Sequence, residues 1–169
     1  MRTLRVSALV FGIALAWSYA MIQQKPVRAD EEEDRAAIAH TVERFIDAWN
    51  KHDAHAFAMT FTEESDFTNV RGTHAHGRNN VDSFHAAVFA TIFKNSHQTA
   101  QVRSIRFLTP NLAAVDVDWQ MTGTTSEDGS PRPERKGLLN WVMAKQGDGS
   151  WLIEVMHNTE LTNAPPPSK

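Results

Sequence analysis

The spacing of apolar residues changes at Ser96, and this change constrains the fold more than any other feature of the sequence. Before Ser96, apolar side chains recur three or four residues apart, as on one face of an α-helix. After Ser96 they alternate with polar side chains, as in a strand that buries one side. Such alternation favours an antiparallel sheet. We therefore predict an α+β domain in which three N-terminal helices pack on a curved antiparallel sheet.

Three helices are predicted before Ser96. The first covers residues 34–49, and the acidic residues in front of it favour the positive end of the helix dipole. Asp53 is predicted to be the N-cap of a short second helix. The third covers about residues 79–94, and His85 falls inside its apolar stripe.

The rest of the chain is predicted to form strands and loops. Residues 112–121 alternate most clearly, and their polar side, with Asp116 and Asp118, is assigned to solvent or a dimer contact. Residues 125–134 are predicted to be an exposed hairpin loop, and the charged residues between 127 and 136, Arg132 and Arg135 included, are assigned to solvent. The other predicted strands cover residues 65–70, 98–107, 137–145 and 150–159, and a further loop covers 72–77.

The first 29 residues differ in composition from the rest. Arg2 and Arg5 precede an uncharged, largely apolar run at 6–22, and Val27 and Ala29 occupy the positions that a signal peptidase reads. We predict a signal peptide at 1–29, a domain at 30–163, a disordered tail at 164–169, and a periplasmic or secreted location. The alternative is a retained membrane anchor, because the apolar run at 6–22 reaches the lower limit of the about 17–25 residues that span a bilayer.

Charge and composition exclude several functions. Removing residues 1–29 leaves 13 Lys and Arg against 20 Asp and Glu, which argues against a nucleic-acid partner. The absence of cysteine excludes thiolate zinc sites and a cysteine nucleophile. The His52/His55 and His74/His76 pairs have no third ligand at a defined spacing, so no metal site is predicted. No cofactor is expected, because no Gly-rich dinucleotide loop or haem motif is present.

Several short strings together resemble one protein family. They are Ala-Trp-Asn-Lys-His-Asp-Ala-His-Ala-Phe at 48–57, Phe61, Asp-Phe-Thr-Asn-Val-Arg-Gly at 66–72, Trp-Leu-Ile at 151–153, and His-Asn-Thr at 157–159. They resemble the SnoaL-like branch of the nuclear transport factor 2-like superfamily, most closely the SgcJ/EcaC-type oxidoreductases, over about residues 34–160. The resemblance implies a cone-shaped α+β barrel, a small-molecule pocket between helices and sheet, and frequent homodimers. It does not select a reaction, because this superfamily includes isomerases, dehydratases and binding modules.

Two residues depart from the ketosteroid isomerases of that superfamily. Their carboxylate base matches Asn69, whose amide cannot accept a proton at neutral pH. Their oxyanion-stabilising tyrosine matches Phe45, which has no donor. The resemblance therefore does not imply ketosteroid isomerisation for this chain.

A different set of polar residues is predicted to face the pocket. His85 lies on the inward helical stripe, and His157 has the strand parity of Trp151, so both imidazoles are candidate catalytic groups that titrate near neutral pH. Asn69 is predicted to share the pocket with His85. The candidate ligand-binding residues are Trp49, Asn69, His85, Trp119, His157 and Asn158. The alternative is that His85 and Asn69 bond each other or the backbone and only satisfy a polar part of the core.

Two classes of function stay open from the sequence. The first is a small-molecule-binding protein, or a weak acid–base enzyme, acting on a small polar or polyketide-like ligand. The second is a non-catalytic binding or dimerisation module, in which aromatic side chains fill the cavity. An accessible cavity favours the first class.

Overall fold

The computed structural model describes residues 29–161, so residues 1–28 of the predicted signal peptide and the predicted C-terminal tail lie outside that range. The helices are α1 (Ala29–Asn50), α2 (Ala54–Ala58) and α3 (Arg78–Phe89). The strands are β1 (Phe61–Thr68), β2 (His74–His76), β3 (His97–Thr109), β4 (Leu112–Thr122), β5 (Arg135–Lys145) and β6 (Trp151–Glu160). The predicted α+β class, with three helices on a curved sheet, is confirmed.

The six strands form one open sheet in the order β2-β1-β6-β5-β4-β3. β1 runs parallel to β6, and the other neighbouring pairs are antiparallel. The sheet is therefore mixed, and the prediction of a purely antiparallel sheet is wrong for this one pair. Alternation shows which face of a strand is buried, but it does not show the direction of the neighbouring strand.

Three predicted boundaries also differ from the structure. The first strand, predicted at 65–70, covers Phe61–Thr68. The segment 72–77, predicted as a loop, contains β2, in which His74 pairs with Thr68 and His76 pairs with Asp66 of β1. The third helix ends at Phe89 rather than near residue 94, and residues 90–95 form turns. Ile92 continues the helical spacing of apolar residues into those turns, and for this reason the predicted helix is too long.

α1 lies across the concave face of the sheet. Its first turn carries three acidic residues, whose negative charges interact favourably with the positive end of the helix dipole. The Thr41 hydroxyl donates to the Trp151 carbonyl at 2.7 Å. Near the end of the helix, the Asn50 amide and the backbone of Gln98 exchange two hydrogen bonds, at 2.9 and 2.8 Å. These bonds fix the middle of the helix against β6 and its C-terminal end against β3.

The short helix α2 is capped as predicted. The Asp53 carboxylate accepts from the backbone N–H of Ala56 at 2.9 Å. This places Phe57 in the core, with its ring centroid 4.4 Å from that of Phe45, and Trp141 contacts Phe45 from the sheet at 5.1 Å. None of the helices within residues 29–161 is long and apolar enough to span a membrane.

Candidate functional site

A cavity of about 470 Å³ lies between α1, α3 and the concave face of the sheet. This volume is within the range of small-molecule sites, which is about 300–1,000 Å³. Its apolar walls include Phe45, Phe67, Phe84, Leu139 and Met156. The long helices and the inner face of one sheet thus supply the walls, and side chains from the loops form the mouth.

His85 is the histidine that lines this cavity. It is 2% exposed and is surrounded by aromatic rings, with its centroid 4.1 Å from that of Phe57 and 5.0 Å from that of Phe67. Its Nδ1 lies 2.8 Å from the Val81 carbonyl oxygen, one turn earlier in α3. A carbonyl accepts only, so Nδ1 carries the hydrogen and Nε2 of the neutral ring is left as an acceptor.

Burial determines the protonation state of His85. Desolvation lowers its pKa from 6.5 to about 4, although the Val81 carbonyl and the charge of Asp82 act in the opposite direction. The ring is therefore neutral at pH 7, and Nε2 presents a lone pair. No described residue donates a hydrogen bond to Nε2.

Asn69 lines the same cavity but does not hydrogen-bond to His85. It lies just after β1, where its Oδ1 accepts from the backbone N–H groups of Arg71, at 2.8 Å, and Thr73, at 2.9 Å. The side-chain oxygen thus closes the turn between β1 and β2. The sequence left two hydrogen-bond partners open for His85, Asn69 and the backbone. The structure shows the backbone, at the Val81 carbonyl.

The two tryptophan candidates also line the cavity. Trp49 of α1 donates from Nε1 to the Ser96 hydroxyl at 3.1 Å, and Trp119 of β4 donates to Asn158 Oδ1 at 2.9 Å. Gly137 on β5 pairs with Trp119, and a Cβ at Gly137 would overlap both the indole ring and the Thr159 carbonyl oxygen. A residue without a side chain is therefore needed beside Trp119.

His157 is exposed and does not line the cavity, so its predicted inward direction is wrong. The pairing of β5 with β6 shifts between Val142 and Met143, which leaves Glu154 as the extra residue in β6. A bulge of this kind reverses which side chains face inward along the rest of the strand. Met156 and Asn158 consequently face the cavity, and His157 faces outward.

Several polar residues of the cavity were not predicted from the sequence, and two of them, Gln98 and Arg135, are buried. Gln98 is buried, and its side-chain oxygen has no hydrogen-bond partner among the described residues. Arg135, assigned to a solvated loop, is instead the buried first residue of β5. Strand parity could have identified both, because Gln98 alternates in phase with Ala100, and Arg135 with Leu139.

The mouth of the cavity is charged. Arg135 donates from Nε and Nη2 to the two oxygens of Glu160, each at 2.7 Å. Arg132 Nη2 lies 3.9 Å from Glu160 Oε1, and Arg71 Nη1 lies 3.5 Å from Glu127 Oε1. Hydrogen bonds from Arg135 hold the pKa of Glu160 below its usual range against the opposing effect of burial. The positive charges of Arg135, Arg132 and Arg71 lower this pKa further.

The histidines of the His52/His55 and His74/His76 pairs do not line the cavity. His76 Nδ1 is 2.9 Å from Asp66 Oδ1 on the outer side of the β1–β2 hairpin, and this hydrogen bond raises the pKa of His76. His55 Nδ1 is 3.0 Å from Asp82 Oδ2. Within residues 29–161, no group of three or more His, Asp or Glu residues has a geometry that could hold a metal ion.

Comparison with solved structures places this fold among known ones. A cystatin-like-fold domain from Nostoc punctiforme is 32% identical, with a TM-score of 0.67, over 77% of this chain and 78% of that one. A nuclear transport factor 2-like superfamily protein from Salmonella enterica is 19% identical, with a TM-score of 0.65, over 83% of this chain and 99% of that one. A ketosteroid isomerase-like protein from Erwinia carotovora atroseptica is 14% identical, with a TM-score of 0.63, over 75% and 95%. The last two likenesses concern the fold alone.

Sequence comparison identifies the family. No curated protein shows a significant match to the chain. The profile of the SnoaL-like domain matches residues 42–147, which run from the middle of α1 to the end of β5 and include most of the cavity walls. The chain therefore belongs to the SnoaL-like domain family and has the nuclear transport factor 2-like fold.

Proposed function

We propose that this SnoaL-like domain binds a small organic molecule in the cavity between its helices and sheet. The observation that carries the proposal is the combination of aromatic walls with inward polar atoms that have no protein partner. Apolar walls supply most of the binding free energy of a small ligand, and a few polar groups fix its orientation. His85 Nε2 is the unpaired acceptor, and Gln98, which also lines the cavity, has a buried side-chain oxygen without a partner among the described residues.

These polar atoms favour a ligand that carries a hydrogen-bond donor. Neutral His85 offers only the lone pair of Nε2 to the cavity, because Nδ1 donates to Val81. A buried acceptor without a partner costs about 1–3 kcal/mol, so a ligand hydroxyl that donates to it gains affinity. A small polar or polyketide-like molecule with a hydroxyl group fits this requirement.

Weak acid–base catalysis is the second candidate function. It is favoured by the placement of Nε2, an unpaired base, in the cavity. A pKa of about 4 makes His85 a weak base at neutral pH, which favours binding over proton transfer. We do not propose ketosteroid isomerisation, because Phe45 has no donor and the Asn69 oxygen accepts two backbone hydrogen bonds.

The proposal is tested with the uncharged fluorophore phenylnaphthylamine. Val88 lines the cavity from α3, and its neighbour Ala87 is exposed on the same helix. We expect the fluorophore to bind the wild-type chain, and Val88→Phe to weaken binding by about tenfold or more because the larger ring occupies the cavity. Ala87→Phe, the matched control, is expected to bind as the wild type does. Equal binding by both variants would show that the fluorophore lies elsewhere and would overturn the proposal.

We also propose that the chain is exported and forms a homodimer through the outer face of the sheet. Export is supported by the Arg2, apolar-run and Ala29 pattern, and the intact mass from the native host should correspond to a chain that begins at Asp30. The dimer is supported by an outward row of apolar residues, Ala114, Val142 and Val155, that pair across three strands. Sedimentation at micromolar concentration should give twice the monomer mass, and a monomer would contradict the dimer.

The non-catalytic alternative uses the same outer face as its only functional surface. It is distinguished by the fluorophore titration, since a pure dimerisation module binds nothing in its cavity. Within the family we propose kinship with the SgcJ/EcaC-type proteins, supported by the strings at 48–57 and 66–72.

A further inference from the structure

Three arginines from three different segments line the mouth of the cavity. Arg71 lies in the turn between β1 and β2, Arg132 lies in the loop between β4 and β5, and Arg135 begins β5. Two carboxylates, Glu127 and Glu160, lie beside them. All three arginines contribute to the low pKa of Glu160, so their positive charges converge on one place.

The three guanidinium groups are engaged to different degrees. Arg135 is buried and makes a bidentate pair with Glu160, so these two charges largely satisfy each other. Arg132 approaches the same carboxylate only to 3.9 Å, and its side chain is 31% exposed. The pair between Arg71 and Glu127 is exposed on both sides, and such pairs contribute little. Arg132 thus retains most of its donors for another partner.

Two amide side chains at the same mouth also have unpaired N–H donors. Asn69 Oδ1 accepts from two backbone N–H groups, so its unpaired end is the NH₂ group. Asn158 Oδ1 accepts from the Trp119 indole, which likewise assigns its NH₂ group to the unpaired end. Both residues line the cavity. With three arginines against two carboxylates, the mouth therefore combines a net positive charge with unpaired amide donors, whereas most of the interior wall is apolar.

We infer that the cavity takes an amphipathic organic acid, whose anionic group binds Arg132 and the amides of Asn69 and Asn158 while its apolar body lies against the aromatic walls. This inference rests on the proposed function, because it names the class of ligand for the same cavity. Guanidinium and amide N–H groups are suited to the oxygens of a carboxylate or sulfonate, and charge-assisted bonds are the stronger ones. Arg71, which pairs with Glu127 of the loop that carries Arg132, adds a further positive charge at this mouth.

The test compares two probes that differ only in the anionic group. Anilinonaphthalene sulfonate carries a sulfonate on the aromatic amine skeleton of phenylnaphthylamine. We expect the wild-type chain to bind the sulfonate about tenfold more tightly than the uncharged parent, with a difference that shrinks as salt is added. Arg132→Gln should abolish this preference by weakening the sulfonate far more than the parent. Arg103→Gln, on the outer face of β3 where Arg103 pairs with Asp118, is the matched control and should behave as the wild type does.

The outcomes separate this inference from the proposed function. If the parent binds in a manner that Val88→Phe weakens, but the sulfonate binds no more tightly, the cavity binds ligands and the anion inference is wrong. If Arg132→Gln weakens both probes equally, its effect is structural, and the inference is again wrong. If neither probe responds to Val88→Phe, the proposed function fails and the inference fails with it. Thermal unfolding of each variant verifies that it is folded.

Discussion

Acid should destabilise the folded protein through His85, and His85→Leu should remove that effect. The ring is held neutral among aromatic side chains, with a pKa of about 4 against 6.5 for an unperturbed histidine. Between these two values the unfolded chain binds a proton at this position and the folded chain does not. The free energy of unfolding therefore falls as the pH drops from about 6.5 to about 4, and below that both states are protonated.

The size of this effect follows from the same two pKa values. A difference of one pKa unit corresponds to about 1.4 kcal/mol, so the gap at His85 corresponds to about 3 kcal/mol over the whole window. In a chain of this length, that loss lowers the midpoint of thermal unfolding by roughly 5–10 °C. Leucine is close to histidine in volume, so His85→Leu should leave stability at neutral pH nearly unchanged or raise it.

Urea unfolding followed by circular dichroism at a series of pH values measures the effect. Carboxylates shared by the wild type and the variant also titrate in this range, so the informative quantity is the difference between the two curves. We expect that difference to grow by about 3 kcal/mol as the pH falls from about 6.5 to about 4. His40→Leu, at an exposed position on α1, is the matched control and should follow the wild-type curve. Parallel curves for wild type and His85→Leu would refute the reasoning.

Three further predictions concern the mouth of the cavity, the turn beside it and the absence of isomerase activity. Glu160→Gln leaves the buried Arg135 charge without its carboxylate and should lower the free energy of unfolding in urea by about 3 kcal/mol. Asp118→Asn, in an exposed pair, should lower it by less than about 1 kcal/mol. Equal losses would contradict the assigned burial. Asn69→Asp should unfold at the wild-type midpoint, since a carboxylate accepts the same two backbone hydrogen bonds; a large loss would show that the amide is needed. The wild-type protein should not isomerise a 5-ene-3-ketosteroid at an enzymatic rate in a spectrophotometric assay, because Phe45 supplies no donor to the oxyanion; efficient turnover would show that this position is wrongly matched.

Much of the fold could be predicted because burial has a simple period in this chain. The stripe from Ile38 to Trp49 and the alternation in β4 each report one buried face, and both elements form where the pattern predicts them. The cap at Asp53 depends only on residues that are close in sequence, so it was also predictable.

The errors arise where contacts distant in sequence determine the outcome. The extra residue at Glu154 reverses the inward parity of β6, which turns His157 outward and brings Asn158 into the cavity. Nothing in the local sequence marks that bulge. Arg135 was assigned to solvent because of its charge, although it shares the parity of Leu139; the carboxylate that neutralises it, Glu160, lies 25 residues later. The direction of β1 is set in the same way by its pairing with β6.

The central claim is that the cavity between the helices and the sheet binds a small molecule, and the indole N–H signals test it most directly. Trp49 and Trp119 line the cavity, whereas the Trp151 indole donates to Asp34 Oδ1 at 2.9 Å in the buried core. In a two-dimensional nitrogen–proton spectrum of the labelled protein, addition of phenylnaphthylamine should shift the signals of Trp49 and Trp119 and leave that of Trp151 in place. Unchanged Trp49 and Trp119 signals at a concentration of fluorophore that saturates its fluorescence would contradict the account.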